Sequence, residues 1–151
     1  FESVRRTLEE MLKSKMAKPA SQQETLIYAM VTLSAADNKM TDAELAKIGD
    51  IVRGLPIFDD FDPEQLVPTA EACGAILQGE DGLDRILDVI AALPTRLHET
   101  AYALAVEVAA ADLHVEQEEL RFLQMLRDRL DIDTLAVAAI ERGARVRYRS
   151  L

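Results

Sequence analysis

Ala35-Ala36-Asp37-Asn38-Lys39-Met40-Thr41-Asp42-Ala43-Glu44-Leu45 occurs a second time, 75 residues later, as Ala110-Ala111-Asp112-Leu113-His114-Val115-Glu116-Gln117-Glu118-Glu119-Leu120. The match extends in both directions without a gap. Glu24 and Thr25 align with Glu99 and Thr100, Val31 with Val106, and 8 of the 25 positions from 24 to 48 are identical to their counterparts. Alanine richness inflates such a score, but the register of the Asp and the Glu does not depend on it. Beyond the motif, Leu55 falls on Leu130 and Ile57 on Ile132. The duplicated unit therefore spans about 22–57 and 97–132 and has the form helix, loop, helix.

Helical periodicity supports that form. Leu26, Ile27, Met30, Val31 and Leu33 leave residues 22–36 apolar nearly all round, the pattern of a helix buried in the middle of a bundle. Thr41 followed by Glu44 is a capping box, which satisfies orphan amides where the next helix begins, and Gly54 with Pro56 marks its end. Asp62-Pro63 opens a helix over about 63–78, Gly79 to Gly82 form a turn, and a short helix with Leu83, Ile86, Leu87 and Ile90 follows before Pro94. The second copy then predicts helices over 95–111 and 116–130, with a last one over 133–142. Neither unit can bury its apolar helix alone, so the expectation is an all-α, single-domain bundle of about seven helices with an internal pseudo-twofold repeat. The domain is placed at 20–142, between an amphipathic N-terminal helix at 1–19 and a basic C-terminal tail at 143–151.

Composition agrees. The chain has 151 residues, 49% of them hydrophobic, with four Phe, three Tyr and no Trp, a balance that favours packed helices over strands. No apolar run reaches the ~20 residues needed to span a bilayer. The single cysteine, Cys73, excludes an internal disulfide and any site built on several thiolates, and its Ala and Gly neighbours suggest a small buried hydrophobe. These features predict a cytoplasmic protein, although a sequence starting at Phe1 leaves an upstream targeting segment open.

The formal net charge is −10, unevenly spread: residues 19–140 hold 8 basic and 23 acidic groups. An acidic body repels phosphate backbones, which argues against nucleic acid as a partner and favours cations or a basic protein surface. Arg142, Arg145, Arg147 and Arg149 read as a solubilising tail.

Two readings of the repeated acids stand side by side. Asp37, Glu44, Asp112 and Glu119 carry hard oxygen ligands, suited to a divalent cation (Ca²⁺, Mg²⁺, Mn²⁺ or Zn²⁺) with loop carbonyls assisting. Alternatively, Glu44 and Glu119 are helix caps and the aspartates accept loop amides, since a repeated fold repeats its caps. An EF-hand is excluded, because Ile48 and Leu123 stand where its bidentate Glu belongs. His98 and His114 form no His-Glu-x-x-His or Glu-x-x-His pattern, which argues against zinc and di-iron chemistry. Gly79-Glu80-Asp81-Gly82 is too acidic for a phosphate loop.

The paired Ala-Ala-Asp-x-x-(Met/Val)-x-x-x-Glu-Leu motifs resemble the signature of the TerB-like tellurite-resistance family over roughly residues 20–142. The resemblance implies a duplicated helical bundle in a bacterial cytoplasmic protein of tellurite resistance and stress response, without catalytic activity, whose acidic residues bind metal. Carried over by position, those residues are Asp37, Glu44, Asp112 and Glu119. The chain departs by having Asn38-Lys39 and Leu113-His114 where members often have a glycine. The competing function is a protein-protein interaction scaffold with an acidic docking face. An enzyme is the third reading, and no nucleophile, base and orienter occur together to support it.

Overall fold

A computed structural model of the chain describes residues 3–6, 19–37, 40–112 and 115–151, and among these every regular element is helical. Residues 3–6 form α1, and the rest of the expected N-terminal helix lies outside the described residues. The other helices are α2 (Gln22–Ser34), α3 (Asp42–Gly54), α4 (Leu66–Gln78), α5 (Gly82–Ala91), α6 (His98–Ala111), α7 (Gln117–Leu130) and α8 (Thr134–Arg147). Eight helices are thus described, and none is long and apolar enough to cross a membrane.

Local chemistry sets the boundaries. Ser21 caps α2 by accepting from Glu24 N at 3.1 Å, while Glu24 Oε1 accepts from Ser21 N at 3.1 Å. Pro63 and Pro94 each lead into a 3-10 turn, Pro63–Gln65 and Thr95–Leu97, that winds into α4 and α6. The α4–α5 turn is tight: Asp81 is left-handed (φ 54°), and a Cβ on Gly82 would fall on the Ile76 and Leu77 carbonyl oxygens.

The core is built on α2 and α6, the first helices of the two repeats, which pack against each other. Every residue of α2 from Thr25 to Ser34 is buried, as its all-round apolarity predicts. In α6, Ala101, Ala105 and Ala109 keep the contact surface low and let the helix axes approach. α4 and α5 cover α2, and α7 and α8 lie on α6. The second helices of the repeats bury equivalent residues, Ile48 in α3 and Leu123 in α7, but in different surroundings: α3 lies against α2, whereas α7 reaches α6, α2 and α5.

One expected boundary is corrected. Residues 143–147 are not a tail but the last turns of α8, because Ala144 is buried and Arg147 and the Tyr148 hydroxyl both engage Glu107 of α6. Favourable packing of that face outweighs the density of arginines, which a helix C-terminus in any case accepts.

Candidate functional site

Each repeat passes from its first helix to its second through the Asp-to-Glu segment. In the first copy the chain leaves α2 by a 3-10 turn, Ala35–Asp37, and re-enters helix at Thr41. Glu44 N donates to Thr41 Oγ1 at 3.1 Å, and Glu44 Oε1 accepts from Thr41 Oγ1 at 3.1 Å and from Thr41 N at 3.4 Å. In the second copy Glu116 occupies the cap position, and Glu119 Oε1 accepts from Glu116 N at 3.4 Å. Both glutamates therefore cap helices, as the structural reading of the repeat expects, and the motif hid the second box because Glu stands where Thr is usual.

Capping is not their whole environment. Glu44, Asp112 and Glu119, from both repeats, line one small pocket of about 10 Å³ together with Ser34, Lys47 and Val108. That is room for about one water-sized sphere. Glu119 is 5% exposed, an unusual depth for a carboxylate, and Ser34 is 4% exposed. Among the described residues, the Ser34 hydroxyl is the one buried side-chain oxygen or nitrogen with no hydrogen-bond partner. The cap bonds engage Oε1 of each glutamate, and a carboxylate has a second oxygen and further lone pairs. Capping and ligation are thus chemically compatible.

Three of the four acids named from the sequence therefore meet at one place. Asp37 closes the 3-10 turn at the same end of α2, with its side chain outside the described ones. The donor set is all oxygen, which suits hard cations. Yet no three His, Cys, Asp or Glu among the described residues are disposed to hold a metal ion as they stand. Ligation would require the side chains to draw together.

Ser34 and Lys47 are the polar pocket residues that the motif did not supply. Ser34 had a readable signal, since it is a polar residue on a helix apolar nearly all round. Lys47 lies one turn beyond Glu44, and its Nζ donates to the Ala111 carbonyl at 3.3 Å.

The remaining chemically distinctive side chains are structural. His98 Nε2 lies 2.8 Å from the Leu93 carbonyl and 3.2 Å from that of Ala91, two acceptors that require a protonated nitrogen, so the ring closes the end of α5. His114 lies outside the described residues. Cys73 is fully buried beside Thr32 Oγ1, 3.5 Å away, and burial pushes its thiol up to about 11, far from a reactive thiolate. Tyr102, Arg127 and Glu141 join α6, α7 and α8: the phenol donates to Glu141 Oε1 at 2.6 Å, and Arg127 donates to the phenol at 2.9 Å and to Glu141 Oε1 at 3.0 Å.

No protein-family model matches this chain, and neither a curated protein nor a solved structure does.

Proposed function

We propose that this chain is a TerB-like protein of tellurite resistance and stress response that acts without catalysis, by holding a divalent cation where its two repeated loops meet. The observation that carries this reading is the shared pocket: acids from both repeats line it beside a buried hydroxyl that has no partner among the described residues. Three carboxylates and a hydroxyl favour Ca²⁺, Mg²⁺ or Mn²⁺ over Zn²⁺, because zinc sites draw on nitrogen and sulfur. The family assignment rests on the duplicated motif. Calorimetric titration of Ca²⁺, Mg²⁺, Mn²⁺ and Zn²⁺ into the wild type and an Asp37→Asn/Asp112→Asn double variant tests the reading. Binding that the double variant loses supports it; no binding, or binding that survives both substitutions, defeats it.

A second reading is favoured by the two capping boxes, which give Glu44 and Glu119 a structural reason to exist. On it the chain is a helical interaction scaffold whose acidic surface docks a basic protein. Partner capture that weakens with salt and ignores chelator would support the scaffold; capture lost on chelation would return the argument to the cation.

A further inference from the structure

We propose that the open groove between α4 and α7 binds a long-chain carboxylate of the fatty-acid class, with its chain over the end of α2 and its head group on Arg121. The inference is separate from the cation reading, since the groove and the pocket between the repeats share no residue. The groove holds about 460 Å³, within the range of small-ligand sites, and most of its lining is apolar. Ala35 and Ala36 line it just past the end of α2, Leu77 from α4, and Phe122 and Met125 from α7. Thr32 also lines it, but its hydroxyl is buried and lies 3.5 Å from Cys73 Sγ, with which it is paired. Such a lining suits a hydrocarbon chain, and the unbranched Met125 side chain adapts to one.

The α7 wall is not inherited from the repeat. Glu118, Arg121, Phe122 and Met125 follow the i, i+3, i+4, i+7 spacing of one helix face, whereas 75 residues earlier stand Ala43, Ala46, Lys47 and Asp50. The α4 wall contains Gly74 in mid-helix, where glycine is a poorer helix former than alanine. A Cβ at Gly74 would meet nothing within 4 Å, so packing inside the protein does not require the glycine, and the space it leaves is the groove. At the mouth Arg121 is exposed and, among the described residues, has no ion pair or hydrogen bond, although the chain carries 27 acidic against 17 basic residues. Glu118 reaches the same mouth, but it stands in the first turn of α7, where the positive end of the helix dipole answers its charge. The guanidinium is the charge left unanswered, and its fork of N–H donors matches a carboxylate.

The test is calorimetric titration of laurate, kept below its micelle concentration, into the full chain in the presence of EDTA, so that no divalent ion takes part. The wild type should bind one laurate per chain, and should bind dodecylammonium more weakly. Arg121→Gln changes an exposed side chain and should weaken laurate binding by about tenfold, the loss of one charge-assisted contact at a solvated rim. Gly74→Leu should abolish binding by filling the groove, with a Tm no lower than that of the wild type, because leucine favours the helix and its Cβ meets open space. A measurement on the unaltered protein locates the ligand independently of that variant's folding: the Met125 ε-methyl resonance should shift as laurate is added. No binding by the wild type, binding that a folded Gly74→Leu retains, or a Met125 methyl that does not move overturns the proposal. Equal affinity in Arg121→Gln, or a preference for dodecylammonium, overturns it as well.

Discussion

Replacing Tyr102 by Phe tests the chemistry that joins the three helices of the second half. The phenol is fully buried, its hydroxyl donates to Glu141 and accepts from Arg127, and the Arg127 guanidinium carbon lies 5.9 Å from the ring centroid. Phenylalanine keeps the ring and the cation–π contact but removes both hydrogen bonds. Arg127 and Glu141 stay paired at 3.0 Å with about a third of each side chain exposed (32% and 34%), so neither charge is stranded. The expected loss is therefore that of hydrogen bonds to partly solvated charges, about 1–2 kcal/mol, or about 2–8 °C in Tm for a chain of this size. A second signature lies in the pH dependence. Burial, with the Glu141 carboxylate adding to it, pushes the phenol from its ordinary 10 up to about 12. The folded state thus holds this proton more tightly than the unfolded chain. Its contribution is complete below pH 10 and is lost as pH rises toward 12, about 3 kcal/mol in all. Tyr28 and Tyr148 are also raised and contribute to the wild-type alkaline limb, but they are common to both proteins. Urea denaturation from pH 7 to 11, followed by far-ultraviolet circular dichroism, should give a wild-type curve that falls more steeply above pH 10 than that of the variant. A loss under about 0.5 kcal/mol at pH 7, or parallel alkaline limbs, would refute the account.

Thr41→Ala removes the acceptor for Glu44 N and should cost about 1 kcal/mol in chemical denaturation, while Thr41→Ser keeps the oxygen and costs far less. Gly82→Ala places a Cβ against the Ile76 and Leu77 carbonyls, so the α4–α5 turn must open; a thermal melt should show at least about 1 kcal/mol of destabilisation, and an unchanged Tm would contradict the turn geometry. Cys73 should react with a disulfide reagent at pH 8 no faster than the protein opens, because the thiol is both buried and held near 11; reaction at the rate of the denatured chain would show that α2 and α4 do not seal it.

Much of the architecture was legible because it rests on local rules. The nearly all-round apolarity of residues 26–33 marked a buried helix, and that is where α2 lies. Thr41 with Glu44 is a start that follows from the side chains alone, and the structure adds a second box of the same kind at Ser21 and Glu24. The end of α8 was not legible, since arginines 142–149 resemble a tail until Glu107, some 40 residues away in the chain, is placed beside Arg147 and Tyr148. Glu116 was missed as a cap because only its position opposite Thr41 identifies it.

The acids divide in the same way. Their duplication, their position at helix starts and their oxygen chemistry are properties of the sequence, because caps and ligand types are set by residues a few positions apart. Whether the two loops lie together or at opposite poles depends on how α2 and α6 pack, and that is a tertiary question. Their contact brings Glu44 of one repeat to Asp112 and Glu119 of the other and encloses Ser34. Lys47 joins them only through a carbonyl 64 residues away. Spacing along the chain carries no information about a bond of that kind, because burial of the two apolar helices, rather than any attraction between the loops, brings its ends together.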